Sequence, residues 1–293
     1  GPGGYVAAIR ASQLGMTVAL IEREHLGGIC LNWGCIPTKA MLKSGEVFST
    51  LKKLDNFGIN AKNISFDLQK IVDRSKKIAG QLSDGVKHLL AKNKVTVIEG
   101  LGYLETKNLV RVTSDTATRK IRAENIIIAT GARSRELDGL ESDGKLIWNY
   151  KNALRPTRVP KKLLVVGSGA IGVEFASFYN SLGSDITLIE LFERILPNED
   201  KEIADYAKKE FKNKGIKIFE NTKIQSLEKN DTKLVVKLIV GSNVETYVFD
   251  TIIMATGIVG NSENIGIEDL GIGTKNNHIE TDKFCETSVK NIY

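Results

Sequence analysis

Short apolar runs alternate with amphipathic segments along this chain. The runs Val18–Ile21, Leu163–Val166 and Ile186–Ile189 have the length and composition of buried strands. Between positions 68 and 90 apolar residues recur every three or four positions, which predicts one long helix with its apolar face in the core. That face comprises Leu68, Ile71, Val72, Ile78, Ala79, Leu82, Val86, Leu89 and Leu90.

Further short strands are predicted in two groups. The first group follows the long helix and comprises Val95–Ile98, Val110–Val112 and Ile126–Ile128. The second group begins at position 216 and comprises Ile216–Phe219, Leu234–Val240 and Tyr247–Phe249. The second group is typical of a β-meander. Strands that alternate with helices predict an α/β fold.

A glycine-rich segment occurs twice with the same spacing. Steps of 3, 14 and 21 positions lead from Gly1 to Gly4, Gly15 and Glu22, and from Gly169 to Gly172, Gly183 and Glu190. In a dinucleotide-binding fold the glycines let the backbone approach a pyrophosphate at a helix N-terminus, and the acid holds a ribose hydroxyl. Two such units imply two cofactors.

Two cysteines lie five positions apart in a Gly-rich turn that follows the first unit. A regular helix separates such residues by about 7.5 Å along its axis, whereas a disulfide needs Cα atoms roughly 4.4–6.8 Å apart. The backbone must therefore bend between Cys30 and Cys35. Gly34 supplies the freedom to bend, and Pro37 suits the first turn of a helix, so Cys35 is expected near a helix N-terminus.

That position predicts a redox-active disulfide. The positive end of the helix dipole, with Lys39 nearby, favours thiolate over thiol. A structural disulfide and half of a zinc site are the alternatives. Neither fits well, because Cys285 is the only other cysteine and no histidine lies at ligand spacing. For Cys285 itself a half-buried thiol is expected.

The first unit runs directly into the cysteine pair, so its cofactor should exchange electrons with the disulfide, which suggests a flavin. The second unit would then hold the nicotinamide cofactor. Glu190 would accept from an adenosine ribose hydroxyl and repel a 2′-phosphate, which favours NAD over NADP.

An Ala-Thr-Gly sequence ends one apolar run in each half, at Ala129–Gly131 and at Ala255–Gly257. Such turns allow backbone to approach a ligand closely, although a plain strand-ending turn explains a single copy equally well. Recurrence after each nucleotide unit favours a binding role. The segment Lys151–Lys162, with its two prolines, is expected to link the domains.

Composition excludes some classes of protein. At 293 residues, 42% apolar and 26% charged, the chain has room for about two domains. No apolar run is long enough to cross a bilayer. The net charge of +6 comes from lysines spread along helices and turns, which is typical of solvated surfaces, so nucleic acid is not expected as a partner. Three cysteines suit a reducing compartment.

The run Gly27–Lys39, GGICLNWGCIPTK, resembles the redox signature of the flavin-dependent pyridine nucleotide-disulfide oxidoreductases. Its L-N-x-G-C-I-P core is most similar to the dihydrolipoamide dehydrogenases of that family, and the likeness covers essentially the whole chain. It implies two Rossmann-like domains, the second inserted in the first and each with a β-meander. The expected divisions are an FAD domain at 1–148, an NAD domain at 149–273 and the start of a return segment at 274–293.

The resemblance also implies residue roles. Cys30 would exchange with substrate, Cys35 would face the flavin, and Lys39 would pair with Glu174 near the flavin N5 edge. The expected FAD positions are Gly1, Gly3, Gly4, Glu22, Gly28, Gly34, Lys39, Gly102, Thr130, Gly131, Ala132 and Glu174. The expected NAD positions are Gly167, Gly169, Ala170, Ile171, Gly172, Glu190, Ile224, Ala255 and Gly257. The segment Gly257–Asn261 lacks the arginine that many relatives carry there.

The implied reaction oxidises protein-bound dihydrolipoamide and reduces NAD+, with FAD as the resident cofactor. Implied partners are the lipoyl domains of a 2-oxo acid dehydrogenase complex or glycine cleavage system and a second copy of the protein, in the bacterial cytoplasm or mitochondrial matrix. Glutathione-type and mercuric reductases, and a non-catalytic flavoprotein scaffold, are the rival hypotheses.

Both ends of the sequence look cut, so a fragment is expected. The family's acid/base histidine would lie outside it, since none of its three histidines, His25, His88 and His278, matches. The chain alone is therefore expected to be inactive.

Overall fold

The computed structural model describes all 293 residues as an α/β protein, which confirms the predicted fold class. The helices are α1 Pro2–Gln13, α2 Gly28–Trp33, α3 Cys35–Leu51, α4 Leu68–Lys92, α5 Tyr150–Ala153, α6 Ala170–Ser181 and α7 Lys201–Asn213, with a 3₁₀ helix at Leu54–Phe57. The strands in the first half are β1 Ala19–Glu22, β2 Thr96–Glu99, β3 Leu101–Thr106, β4 Leu109–Thr113, β5 Thr118–Arg122, β6 Ala132–Ser134 and β7 Ile147–Trp148. Those in the second half are β8 Lys162–Val166, β9 Asp185–Ile189, β10 Lys217–Phe219, β11 Thr222–Lys229, β12 Leu234–Val240, β13 Asn243–Phe249, β14 Thr251–Met254, β15 Ile258–Gly260, β16 Thr274–Lys275 and β17 His278–Ile279.

Contacts divide the chain into two compact units. The first unit comprises Gly1–Ile36, Lys77–Arg133 and Ile258–Tyr293, and the second comprises Pro37–Lys76 and Ser134–Gly257. The two segments of the second unit thus lie between the three segments of the first along the sequence. The domain boundaries at 148/149 and 273/274 stay a prediction. None of the helices combines the length and apolar character that a membrane span requires.

In the first unit, β1 pairs in parallel with β2, and β3, β4 and β5 form an antiparallel meander. α1 packs on this unit's core through Ala8, together with Leu31 of α2 and Leu90 of α4. No strand forms at Ile126–Ile128, where the sequence predicts one. This segment forms only an isolated parallel bridge from Ile126 to Ile292, because the residues around Ile292 are its sole backbone partners.

In the second unit, five parallel strands form one sheet in the order β10-β9-β8-β14-β7. The antiparallel meander consists of β11, β12 and β13. The expected strand Ile216–Phe219 therefore forms as β10 but belongs to the parallel sheet, and β11 takes the first place in the meander. Helix α5 begins at Tyr150, and Leu154 and Pro160 are buried, so the expected linker is partly packed into this unit.

The long helix α4 is confirmed, but its apolar face is narrower than predicted. Val72, Ala79, Val86 and Leu90 are buried, whereas the side chains of Leu82 and Leu89 are more than two-fifths exposed. Val72, Ala79 and Val86 are seven residues apart and Leu90 lies one turn beyond Val86, which places positions 82 and 89 to one side of the packed stripe.

Candidate functional site

The first glycine segment forms the start of α1. Gly1 precedes the helix, Pro2 is its first residue, and no side chain caps its N-terminal N–H groups. A methyl group on the buried Gly4 would lie 3.6 Å from Cβ of Ala129, so the helix packs closely on the Ala-Thr-Gly turn of the same unit. Glu22 ends β1, as predicted, and its Oε1 accepts a hydrogen bond from the N–H of Glu24 at 2.9 Å.

The cysteine segment bends at Gly34, as predicted. Helix α2 ends at Trp33, α3 begins at Cys35, and a methyl group on Gly34 would lie 3.1 Å from the carbonyl oxygen of Ile29. Cys30 lies inside α2, which corrects the expectation of an open turn there. Both cysteines are thiols in this structure, Cys30 half-buried and Cys35 exposed.

Two glycines shape the entry to α2. Gly27 and Gly28 have φ angles of 89° and 61°, in the left-handed region that favours glycine. A side chain on Gly28 would also overlap Gly1, so this position brings the cysteine segment against the start of α1.

The side chain of Asn32 links α2 to the preceding loop and to α4, a role that the sequence does not predict. Its Nδ2 donates to the carbonyl oxygens of Leu26 and Gly28 at 3.0 and 2.9 Å. Its Oδ1 accepts from Oγ of Ser83 on α4 at 3.1 Å. The amide between the two cysteines therefore fixes α2 to the preceding loop and to α4.

Lys39 and Glu174 form the ion pair that the resemblance implies, with Nζ 2.5 Å from Oε1. Lys39 is the fifth residue of α3, and Glu174 is the fifth of α6 rather than a first-turn residue. Both belong to the second unit. The lysine is mostly exposed and the glutamate is one-quarter exposed, so this pair contributes little to stability on its own.

The expected flavin-side turn Thr130–Ala132 is held by Asn261. Its N–H donates to the carbonyl oxygen of Gly131 at 2.9 Å, its Nδ2 donates to that of Thr130 at 3.0 Å, and its own carbonyl accepts from Oγ1 of Thr130 at 2.7 Å. Gly102 lies on β3, where a methyl group would make only ordinary contacts with Ile21 and Val110, each 3.6 Å away. The structure thus gives Gly102 no steric requirement for glycine.

The second glycine segment leads from β8 into α6. Gly169 is the N-cap and no side chain caps this helix either. A side chain on Gly167 would overlap the carbonyl oxygen of Ala255, and one on Gly172 would overlap that of Gly167. A methyl on Gly172 would also lie 3.5 Å from Cβ of Ala255, which repeats the contact of Gly4 with Ala129.

The remaining positions of this segment are open. A methyl group on Gly169 would meet no atom within 4 Å, and Ala170 and Ile171 are exposed. Open space above uncapped N–H groups is the environment that a pyrophosphate requires. The second unit therefore fits a dinucleotide. In the first unit, helix α1 is likewise uncapped by any side chain.

Glu190 is buried directly after β9, with 5% of its surface exposed. Its Oε2 accepts from the N–H and Oγ–H of Ser168, at 2.9 and 2.5 Å, and its Oε1 accepts from the N–H of Phe192 at 3.0 Å. These donors stabilise the carboxylate in a buried position. Ser168 lies within the glycine segment, but its contact with Glu190 was not predicted.

Other predicted positions are less tightly placed. Gly257 has a φ of 105° and its carbonyl accepts from the N–H of Arg135 at 3.0 Å. Ile224 lies on β11, half-buried against the second unit's apolar core. Cys285 is exposed, contrary to the expected half-buried thiol, because it lies in a turn with a positive φ of 63°.

The chain matches the family model "Pyridine nucleotide-disulphide oxidoreductase" over residues 1–293. It is 48% identical to the dihydrolipoyl dehydrogenase of Zymomonas mobilis and 43% identical to that of Rhizobium etli, in both cases over all of this chain but only 63% and 64% of the relative. It is 39% identical to a dihydrolipoyl dehydrogenase of Acholeplasma laidlawii, 86% of which it covers. The chain thus spans less than two thirds of the first two relatives, which agrees with the expected fragment.

Two solved structures share this fold over the whole chain. LpdA from Mycobacterium tuberculosis superposes with a TM-score of 0.91 at 26% identity, over all of this chain and 65% of that one. The Cu(II) complex of RclA, an HOCl-induced flavoprotein disulfide reductase from Escherichia coli, gives 0.84 at 26% identity over all of this chain and 63% of that one.

These matches confirm the resemblance that the cysteine segment indicated. FAD and NAD are the cofactors that dihydrolipoyl dehydrogenases of this family use, and both glycine segments fit them. The chain belongs to the pyridine nucleotide-disulphide oxidoreductase family.

Proposed function

We propose that the complete protein is a dihydrolipoyl dehydrogenase that oxidises protein-bound dihydrolipoamide with NAD+. The observation that carries this proposal is the cysteine pair at the Gly34 bend, with Cys35 as the first residue of the 17-residue helix α3. The dihydrolipoyl dehydrogenases to which the chain is 36–48% identical support the same substrate.

In the proposed reaction the dithiol of dihydrolipoamide reduces a Cys30–Cys35 disulfide. A substrate thiolate attacks Cys30 and forms a mixed disulfide, which the second substrate thiol resolves, so that lipoamide leaves oxidised and both cysteines are reduced. Two electrons and one proton then reach NAD+ to give NADH, and the second proton is released. A bound flavin supplies the electron transfer between the cysteines and NAD+.

The protein's own groups orient and stabilise the reacting ones. Cys35 is the first residue of α3, and Cys30 lies in α2 on the other side of the Gly34 bend. Asn32 holds α2, and with it Cys30, in place. Lys39, which pairs with Glu174, would present a positive charge to the flavin, and Glu190 would hold the adenosine ribose of NAD.

We also propose specific partners, an oligomeric state and a location for the complete protein. Lipoyl domains of a 2-oxo acid dehydrogenase complex or glycine cleavage system are the substrates, and the complete protein is a homodimer in the bacterial cytoplasm or mitochondrial matrix. The similarity to bacterial dihydrolipoyl dehydrogenases supports the first location.

An anaerobic titration of the complete protein with dihydrolipoamide tests the proposal. We expect a long-wavelength thiolate-to-flavin absorption band that disappears when NAD+ is added. Cys30→Ser and Cys35→Ser should abolish dihydrolipoamide oxidation, whereas the exposed Cys285→Ser should leave it unchanged. A band that forms with NADPH or glutathione but not with dihydrolipoamide would refute the substrate, and no band with any reductant would refute the redox pair.

A further inference from the structure

Cys30 and Cys35 belong to helices of very different length. Cys30 is the third residue of α2, which has only 6 residues, whereas Cys35 begins the 17-residue α3. An isolated helix is marginal in water below roughly 12–15 residues, so α2 cannot hold its own shape. The position of Cys30 therefore depends on the groups that anchor α2 to the rest of the first unit.

The two ends of α2 add little rigidity. Gly27 and Gly28 lie at its start with positive φ angles, and Gly34 follows its last residue with a φ of −145° and a ψ of −114°. No side chain caps the first N–H groups of the helix. Because glycine has more backbone freedom than any other residue, these joints allow α2 to move relative to Cys35 unless its side chains are held.

The backbones of the two cysteines nevertheless come close together. A methyl group on Gly34, the residue before Cys35, would lie 3.4 Å from Cα of Cys30 and 3.1 Å from the carbonyl oxygen of Ile29. A disulfide requires such proximity, since the Cα atoms that it joins are usually about 4.4–6.8 Å apart. The placement of α2 seen here is therefore the one that a disulfide needs.

Asn32 and Ser83 anchor α2 in this placement. Nδ2 of Asn32 donates to the carbonyl oxygens of Leu26 and Gly28, within its own segment, and its Oδ1 accepts from Oγ of Ser83 on α4 at 3.1 Å. Ser83 is half-buried and belongs to the same unit. Loss of the Ser83 hydroxyl would keep the two bonds within the segment and release the hydrogen bond to α4.

We propose that Ser83 is a positioning residue for the cysteine pair: by holding Asn32 it keeps Cys30 within disulfide reach of Cys35 and so favours the disulfide over the two thiols. A disulfide forms only from the fraction of dithiol molecules in which α2 is in place, and once formed it holds α2 itself. Loosening α2 therefore favours the dithiol. This inference rests on the proposed redox role of the pair and adds a residue outside the cysteine segment that sets its equilibrium.

Equilibration of the oxidised, full-length holoenzyme with dihydrolipoamide and lipoamide, without NAD+, tests the inference. In this exchange the dithiol of dihydrolipoamide becomes a cyclic disulfide while the Cys30–Cys35 disulfide becomes two thiols, so electrons and protons balance. Anaerobic samples over a series of dihydrolipoamide-to-lipoamide ratios are quenched with acid. After alkylation, mass spectrometry of the peptide that contains both cysteines gives the fraction reduced.

Ser83→Ala should shift the equilibrium towards the dithiol by about two- to fivefold, because the net contribution of one hydrogen bond sets the upper limit. A fivefold shift corresponds to about 20 mV for a two-electron couple. Ser83→Thr keeps a hydroxyl at this position and should restore the equilibrium of the unaltered protein. Alanine suits a helix well, so Ser83→Ala should fold.

Ser75→Ala is the matched control. Ser75 is a buried serine of the same helix, and its hydroxyl donates to the carbonyl oxygen of Val72 at 2.7 Å, within α4. This variant removes a serine hydroxyl from α4 without releasing α2, so it should leave the disulfide equilibrium unchanged.

An unchanged equilibrium in Ser83→Ala would overturn the inference even if the variant unfolds at a lower urea concentration, because a merely structural serine lowers stability without moving the equilibrium. An equal shift in Ser83→Thr or in Ser75→Ala would overturn it as well. Failure of the proposed function gives a different result: if the unaltered protein forms no Cys30–Cys35 disulfide at any ratio, the redox role of the pair is wrong together with the inference.

Discussion

Gly172 is required by its neighbour rather than by its own backbone angles. Any side chain there would overlap the carbonyl oxygen of Gly167. Gly172→Ala should therefore lower the free energy of unfolding by about 1–3 kcal/mol, as other overpacked sites do, and weaken NAD+ binding. Urea unfolding and calorimetry on the full-length protein measure the two effects.

Gly80 provides the control for that substitution. It lies in α4, where an added methyl group would meet no atom within 4 Å, so Gly80→Ala should be neutral or stabilise the protein by up to about 1 kcal/mol. Equal destabilisation by both variants would contradict the steric argument.

Asp143 organises the turn before β7. Its Oδ1 accepts from the N–H groups of Lys145, Leu146 and Ile147, and its Oδ2 accepts from Nζ of Lys229 at 2.8 Å. Partial burial would raise the pKa of this carboxyl, but the hydrogen bond from Lys229 and those from the backbone outweigh burial and lower the pKa well below its usual value.

Because the folded-state pKa is depressed, the carboxylate of Asp143 stabilises the fold fully above its unfolded pKa, and this contribution is lost as the pH falls towards the folded value. Asp143→Asn should lower the free energy of unfolding by about 1–3 kcal/mol at pH 7. The difference from the unaltered protein should shrink below about pH 4. Asp138→Asn, at an exposed carboxylate nearby, should show neither effect in urea titrations across this range.

At the scale of the element, α2 depends on a side chain from another helix. Ser83→Ala removes the donor to Asn32, a bond worth about 1 kcal/mol, so the amides of α2 should exchange with solvent about fivefold faster. Ser75→Ala is the matched control and should leave exchange in α2 unchanged. Ser75 lies on the same helix, is buried, and donates only to the carbonyl of Val72. If both variants leave exchange in α2 unchanged, Ser83 does not hold it.

The predictability of the elements follows from where their apolar residues lie. The central strands β8 and β14 are apolar on both faces because helices or a meander cover both, so composition alone predicts them. The sequence of β11 does not predict a strand, because most of its side chains are polar and exposed and only pairing with β12 makes it one. The periodicity places Leu82 and Leu89 in the core although both are exposed, because periodicity defines a face of α4 but not its width.

The same distinction holds within the site. The glycines, Glu190 and the cysteine pair follow from local spacing, since the chemistry acts over a few residues or one βαβ unit. Ser168 with Glu190, and Asn32 with Ser83, are separated by 22 and 51 positions. Asn32 and Ser83 meet only through helix packing, and the glycine spacing that marks Glu190 within one βαβ unit does not mark Ser168 as its partner.

At the scale of the whole molecule, each unit has its own apolar core, and the second is proposed to hold NAD. A ligand that binds only the folded state at about 100 times its dissociation constant stabilises it by about 2.7 kcal/mol. We expect NAD+ to raise the thermal midpoint of the full-length protein more than NADP+ at equal concentration, because Glu190 repels a 2′-phosphate. Differential scanning fluorimetry measures the midpoint. An equal rise with NAD+ and NADP+ would contradict the proposed preference for NAD+.

A helix-start glycine faces an Ala-Thr-Gly alanine in both units with nearly the same geometry, because a methyl group added to Gly4 would lie 3.6 Å from Cβ of Ala129 and one added to Gly172 would lie 3.5 Å from Cβ of Ala255. Two halves of one gene that descend from a duplicated ancestor would inherit such a joint as a unit, and each glycine would then constrain the size of its alanine throughout later divergence. The joint therefore sets the same size limit in both units, and replacing Ala129 or Ala255 by valine should destabilise the unit that contains it, which urea unfolding measures.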